Sequence, residues 1–252
     1  MENRRLTVYE VLQDGFKKTF NYFWVCLKGL FTLSLIGLLV LVGLALVNWS
    51  WVSIIVDQAP ELAEQAKACG NNVQCIKTIF WPLISPHVLV FIISLSVAIL
   101  IYLWLTFSMV RYFLNVHDTG TASIRDLFLP IGKVIKIMIA SALTLLIVLG
   151  GLVLLIIPGI YWGMRLSQFQ YFIIDKNAGI IESLKMSWAA TDGYSLQLFC
   201  LYLIINVIVG LTNGIFGLFM LFTVPLQFIT YACMYRKLTS GHAKAQERAN
   251  EA

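Results

Sequence analysis

Charge is scarce in this chain. Only 12% of its 252 residues are Asp, Glu, Lys or Arg, against 59% hydrophobic ones, where a soluble domain carries about 25% charged residues. Such a chain cannot cover itself with polar surface in water, so it reads as an integral membrane protein. Histidine is scarcer still. His87, His117 and His242 are the only three, and none has a histidine or cysteine at ligand spacing, so no metal centre is expected. Asp118 follows His117, but neighbours on a helix point apart, and "NVHDTG" reads as a polar turn. The long apolar runs hold no carboxylate: Glu10, Asp14, Asp118, Asp126, Asp175, Glu182 and Asp192 all fall outside them. That counts against a proton-coupled carrier, which needs an intramembrane acid. No glycine-rich phosphate loop or zinc-protease helix motif occurs. The expectation is therefore a protein that is not an enzyme, holds no cofactor and binds no nucleic acid.

What is present is apolar sequence in span-sized pieces. About 20 such residues cross a bilayer as a helix, and runs occur at 24–47, 87–110, 134–157, 160–174, 195–212 and 215–235. The residues before the first run are polar or amphipathic, and the run is too long for a signal h-region, so no cleavable signal peptide is expected. Runs three and four together would make a helix of about 60 Å, at about 1.5 Å per residue, which one span cannot use. Pro158 and Gly159 lie between them. The sequence "IPGI" therefore predicts a tight turn joining a helical hairpin. "GLTNGIFG", 210–217, joins runs five and six as briefly.

Basic residues set an orientation. Arg4, Arg5, Lys17 and Lys18 precede run one, and Arg111, Arg125, Lys133 and Lys136 flank the second connection. Lys176 and Lys185 lie in the fourth, and Arg236, Lys237, Lys244 and Arg248 in the tail. The 57–86 segment has only Lys67 and Lys77 against Asp57, Glu61 and Glu64. Lysine and arginine mark the cytoplasmic side. The expectation is an all-α polytopic protein, a single membrane domain over 1–252, with six spans and both termini cytoplasmic. The 57–86 segment becomes an outer loop, and 238–252 a disordered cytoplasmic tail. Cys69 and Cys75, six apart in that loop, read either as a disulfide, if the compartment is oxidising, or as two free thiols.

Three cytoplasmic segments are amphipathic. Residues 6–23 repeat Val8, Val11, Leu12, Phe16, Phe20 and Phe23 at spacings of three and four, with Thr7 and Glu10 placed for a capping box. Residues 123–131 and 177–191 do the same more briefly. All three are expected to lie in the headgroup layer. A helix, a span, a turn and a returning span then recur over 6–112, 121–175 and 178–236, which reads as a triple repeat.

The candidate site is a polar set inside the spans. Arg165 is close to the Pro158–Gly159 turn and is followed by Ser167, Gln168 and Gln170. Asn206 and Gln227 sit inside runs five and six. One reading gathers Arg165, Ser167, Gln168, Asn206 and Gln227 around a cleft for an anionic lipid headgroup or a solute. The other has Arg165 snorkelling outward past Tyr161 and the amides serving as interhelical glue.

"IPGIYWGMRLSQFQYFIID" followed by "GIIESLKMSWAATDG" resembles the C-terminal half of the YciC-like bacterial inner-membrane proteins. It is also similar to the membrane domain that accompanies some glycerophosphodiester phosphodiesterases. The matching positions are Ile157, Pro158, Gly159, Arg165, Glu182, Ser183, Leu184, Lys185, Ser187, Trp188 and Gly193. The resemblance implies a multi-pass inner-membrane protein without an established activity, since the phosphodiesterase chemistry belongs to a separate soluble domain. The expected role is a lipid-interacting scaffold or partner subunit in the envelope, in contact with membrane lipids and with another membrane protein or further copies of itself. The rival is a transporter or channel using the polar patch near Arg165.

Overall fold

The computed structural model describes residues 7–70, 72–215 and 219–250. Arg4 and Arg5, and the side chains of Lys77, His87, His242, Lys244 and Arg248, lie outside the described residues. The helices are α1 (Val8–Asn21), α2 (Phe23–Ala68), α3 (Val73–Thr119), α4 (Ile131–Leu154), α5 (Ile156–Leu166), α6 (Phe169–Lys176), α7 (Ile180–Ala190), α8 (Ser195–Ile215) and α9 (Met220–Asn250), with a 3₁₀ turn at Ile124–Leu127. There is no strand among the described residues. Four stretches are long and apolar enough to cross a bilayer: Phe23–Trp49, Val88–Thr119, Ile131–Val153 and Ser195–Thr212. The other two expected runs differ. Run 160–174 is divided between α5 and α6, and 215–235 enters α9, whose helix continues to Asn250. The tail from 238 is therefore helical rather than disordered as far as that residue.

Thr32–Trp104 form one packed unit. Here α2 and α3 run as a helical hairpin, with the Asn48 side-chain amide donating to Ser94 Oγ at 3.3 Å. The expected loop at 57–86 is mostly helix: α2 extends to Ala68 and α3 starts at Val73. The reason is local, because "ELAEQAKA" is made of strong helix formers. Only the short turn between the two helices breaks the path, with Gly70 at φ 56°, and Cys69 and Cys75 are joined there as a disulfide. Leu38, Leu39, Leu41, Leu46, Phe91, Ile92 and Ile93 face outward, a continuous apolar surface that suits lipid rather than water.

The other unit comprises the segments before Thr32 and after Trp104. α1 packs on α8 and α9 through Val11, Leu198, Leu201, Ile205, Cys233 and Met234. Gly15 makes the approach close, since a Cβ there would lie 2.3 Å from Thr230 Oγ1. Thr7 is the N-cap residue of α1 but its side chain makes no cap hydrogen bond, so the expected capping box is absent. Its counterpart stands at 123–126, where Ser123 N–H donates to the Asp126 carboxylate at 2.9 Å. That segment is a single 3₁₀ turn, not an amphipathic α-helix.

The α4–α5 hairpin corrects the predicted turn. The break is at Leu155, the one extended residue between the helices (φ −163°, ψ 148°). Pro158 lies inside the first turn of α5, where its missing N–H would have had no helical acceptor anyway. Gly159 serves packing rather than turning. A Cβ on it would meet Leu152 Cγ at 2.5 Å, and one on Gly151 would meet Gly159 Cα at 2.8 Å. Further along, Lys133 Nζ donates to Ile174 O at 2.8 Å. α5 and α6 thus return together beside α4 as one broken helix, interrupted at Ser167 and Gln168.

Candidate functional site

An interruption in a helix leaves carbonyls and amides without partners. Here α7 supplies them. It doubles back beside α6 after a turn at Asn177, whose φ of 54° is left-handed. Ser187 Oγ donates to Arg165 O at 2.9 Å and accepts from Gln168 N–H at 3.1 Å. Thr191 Oγ1 donates to the same Arg165 carbonyl at 3.0 Å. One serine hydroxyl therefore closes both sides of the α5–α6 break. Ser187 and Thr191 are completely buried.

The Arg165 side chain follows its backbone toward α7. It is 4% exposed, and a buried guanidinium requires a counter-charge. Asp192 provides it, accepting from Nη1 at 2.5 Å. The cation also lies 4.7 Å from the centre of the Trp188 ring and 5.7 Å from that of Tyr161. The hydrogen bond and charge of Arg165 hold the exposed Asp192 carboxyl below the usual carboxylate range. Arg165 thus stands at the end of α5 away from the hairpin turn, and its charge is met by Asp192 beyond α7. Snorkelling past Tyr161 toward the turn is not what is seen.

The remaining predicted residues are drawn together by two tyrosines. Gln168, wholly buried, donates from Nε2 to Tyr202 OH at 3.0 Å and to Ser167 Oγ at 3.3 Å. The Tyr202 and Tyr231 rings lie 4.6 Å apart. Asn206 and Gln227 donate to Tyr231 OH at 3.2 and 3.3 Å. All five predicted residues therefore belong to one neighbourhood, linked by hydrogen bonds and ring contact. Gln170 contributes none of these bonds. Sequence reasoning missed Asp192, Tyr202 and Tyr231. The signal for the tyrosines was their spacing from the amides, Tyr202 four before Asn206 and Tyr231 four after Gln227. Within this set, Arg165 Nε and Gln168 Oε1 are buried with no partner among the described residues.

A second polar cluster joins α1, α3, α6 and α9. Arg236 lies between two carboxylates, donating from Nε to Asp118 at 3.0 Å and from Nη1 to Asp175 at 2.7 Å. Burial opposes its charge, but these two carboxylates prevail and raise its pKa. Lys237 pairs with Asp14 at 2.7 Å. Lys18 Nζ donates to His117 Nε2 at 3.0 Å and to His117 O at 2.9 Å. An ammonium can only donate, so the imidazole proton is on Nδ1, which reaches Asp118 Oδ1 at 3.0 Å. The two neighbours expected to point apart in a polar turn are in contact, in the last turn of α3. Among the described residues no group of three His, Cys, Asp or Glu is placed to hold a metal ion.

Four apolar helices of spanning length define an all-helical, multi-pass membrane protein. No family model, curated protein or solved structure matches the chain.

Proposed function

We propose that the chain is a non-enzymatic, lipid-interacting scaffold or partner subunit of the bacterial inner membrane, related to the YciC-like proteins. Six spans, built as three helical hairpins with both termini cytoplasmic, are the topology that the distribution of lysine and arginine favours. The observation that carries the role is how the intramembrane polar groups are used. Arg165 is spent on Asp192, Gln168 on Tyr202, and Asn206 and Gln227 on Tyr231. The Gln227 bond lies within α9, and the others hold separate segments to one another. Purification from membranes in a mild detergent, with protein and lipid content quantified, tests the reading. Retained lipid or a stoichiometric membrane partner is expected. A lipid-free, partner-free protein that moves solute in proteoliposomes would overturn it.

One observation favours the transport reading. Interrupted helices often mark substrate sites in carriers, and Gln168 Oε1 and Arg165 Nε have no partner among the described residues at the interruption. For a carrier, Gln168→Leu abolishes uptake while the protein still folds. For a scaffold it lowers stability and leaves partner or lipid retention intact.

A further inference from the structure

A cavity of about 580 Å³ opens among α1, α3, α6 and α9, a volume in the range of small-molecule sites. Lys18, Lys176, Arg236 and Lys237 line it, and Asp14 is the one carboxylate among the described residues of its wall. Asp118 and Asp175 are engaged by Arg236, and Lys237 is held by Asp14. Even with all three carboxylates counted, one positive charge is left over. Of these four cations, Lys18 and Lys176 have no carboxylate in ion-pair contact among the described residues. Lys18 uses two donors on His117 and keeps a third. Lys176 lies over the Phe172 ring, 5.4 Å from its centre, which steers its ammonium without neutralising it.

The depth of the cavity selects the anion. His117, on its wall, is two residues from the end of the apolar stretch Val88–Thr119. On its side away from Asp14 and Lys18, α1 exposes Tyr9, Phe16 and Phe20, with the Phe16 and Phe20 rings against Phe222, aromatic side chains that suit a helix lying in the headgroup layer. We infer that this cavity binds a phosphate-bearing anion through Lys18 and Lys176, with the headgroup of an anionic phospholipid as its source. Arg236 is the wall behind it, since both edges of its guanidinium are already taken. The inference rests on the lipid-interacting reading above and names the site and headgroup class that reading leaves open.

The test uses the full-length protein in detergent, offered phosphatidylglycerol and phosphatidylcholine in equal amounts, with bound lipid counted by native mass spectrometry. Preferential retention of phosphatidylglycerol is expected. Lys18→Gln/Lys176→Gln lowers that retention about tenfold or more, from the contribution of each basic residue at an anionic surface. Lys176→Gln alone, at an exposed position, lowers it about fivefold, and Lys185→Gln on α7 leaves it unchanged. A second arm measures the melting temperature with and without inorganic phosphate. Stabilisation of wild type but not of the double variant, without lipid preference, assigns the site to a soluble phosphate compound and supports the same chemistry. If the double variant keeps the wild-type lipid preference and phosphate response, the site is wrong while the lipid-interacting reading stands. If wild type shows neither preference nor response, the site is again wrong, and the partner and lipid content on purification decides the broader reading separately.

Discussion

Ser187 accepts from Gln168 N–H, a hydrogen bond that no other side chain in the break replaces, and shares the Arg165 carbonyl with Thr191. Leaving a buried backbone group unpaired costs about 1–3 kcal/mol, so Ser187→Ala is expected to lower stability by roughly that amount in detergent unfolding followed by tryptophan fluorescence. Ser183 is the comparison. It is equally buried, but its hydroxyl donates only to Ile180 O in its own helix, and Ser183→Ala is expected to change stability by less than about 0.5 kcal/mol. Asp192 answers a different question, through pH. Arg165 depresses its pKa, so its ionised form stabilises the fold above the ordinary carboxylate value of about 3.9, and that contribution is lost as pH falls through the lower folded value. Asp192→Asn removes the dependence. Melting temperature measured from neutral pH down to about 3 should be lower than wild type at the upper end and converge with it at the lower. Curves that stay parallel throughout would show that the pair does not couple to folding.

At the scale of an element, the α4–α5 hairpin separates two residues that look alike in the sequence. Both Pro158 and Gly159 read as turn residues, because proline before glycine is a strong turn signal. The structure gives them different tasks. Pro158 occupies a first-turn position that many residues accept, so Pro158→Ala is expected to be tolerated within about 0.5 kcal/mol. Gly159 faces Leu152 at a distance no Cβ can enter, so Gly159→Val must part α4 from α5, with a cost of about 1–3 kcal/mol from overpacking. Equal melting temperatures for the two variants would refute this division. The same hairpin shows what was legible. Composition and length required the chain to double back near residue 158, and it does so three residues earlier. The polar run from Arg165 to Gln170 is visible as unusual, and the helix break falls inside it, at Ser167 and Gln168. Asp192 was not legible as the partner of Arg165. It lies 27 residues away, in a segment that charge counting assigned to the opposite face. In "ESLKMSW" Trp188 stands out by amphipathic spacing as well as by resemblance, and Ser187 by resemblance alone. Their work on the Arg165 carbonyl and guanidinium depends on α7 doubling back beside α6, and no local periodicity announces that.

For the whole molecule, the open question is how the broken helix and α7 relate to the bilayer. Four stretches have the length and apolarity of spans, and six spans are proposed from the charges. Both counts put the two termini on one side, so labelling the termini cannot decide between them. The turn between α6 and α7 can. With six spans α5 and α6 carry the chain back, and Asn177 is cytoplasmic. With four, everything from Leu155 to Ser195 stays outside, and the Lys133–Ile174 contact and the bridge of Arg236 between Asp118 and Asp175 are broken. Asn177 is exposed and already left-handed, which a cysteine there accepts at a cost of about 1–2 kcal/mol. Its background is a variant with Cys26, Cys200 and Cys233 changed to serine, leaving the Cys69–Cys75 disulfide without free thiols. Asn177→Cys is expected to resist a membrane-impermeant maleimide on intact spheroplasts and to react once they are opened. Gln65→Cys, on the exposed distal part of α2, is expected to react from outside in both states. Labelling of Asn177→Cys in intact spheroplasts would reduce the span count to four. It would also place α7, with Ser187 and Trp188, on the outer side, where the Arg165–Asp192 pair would close the bundle against the extracytoplasmic solvent.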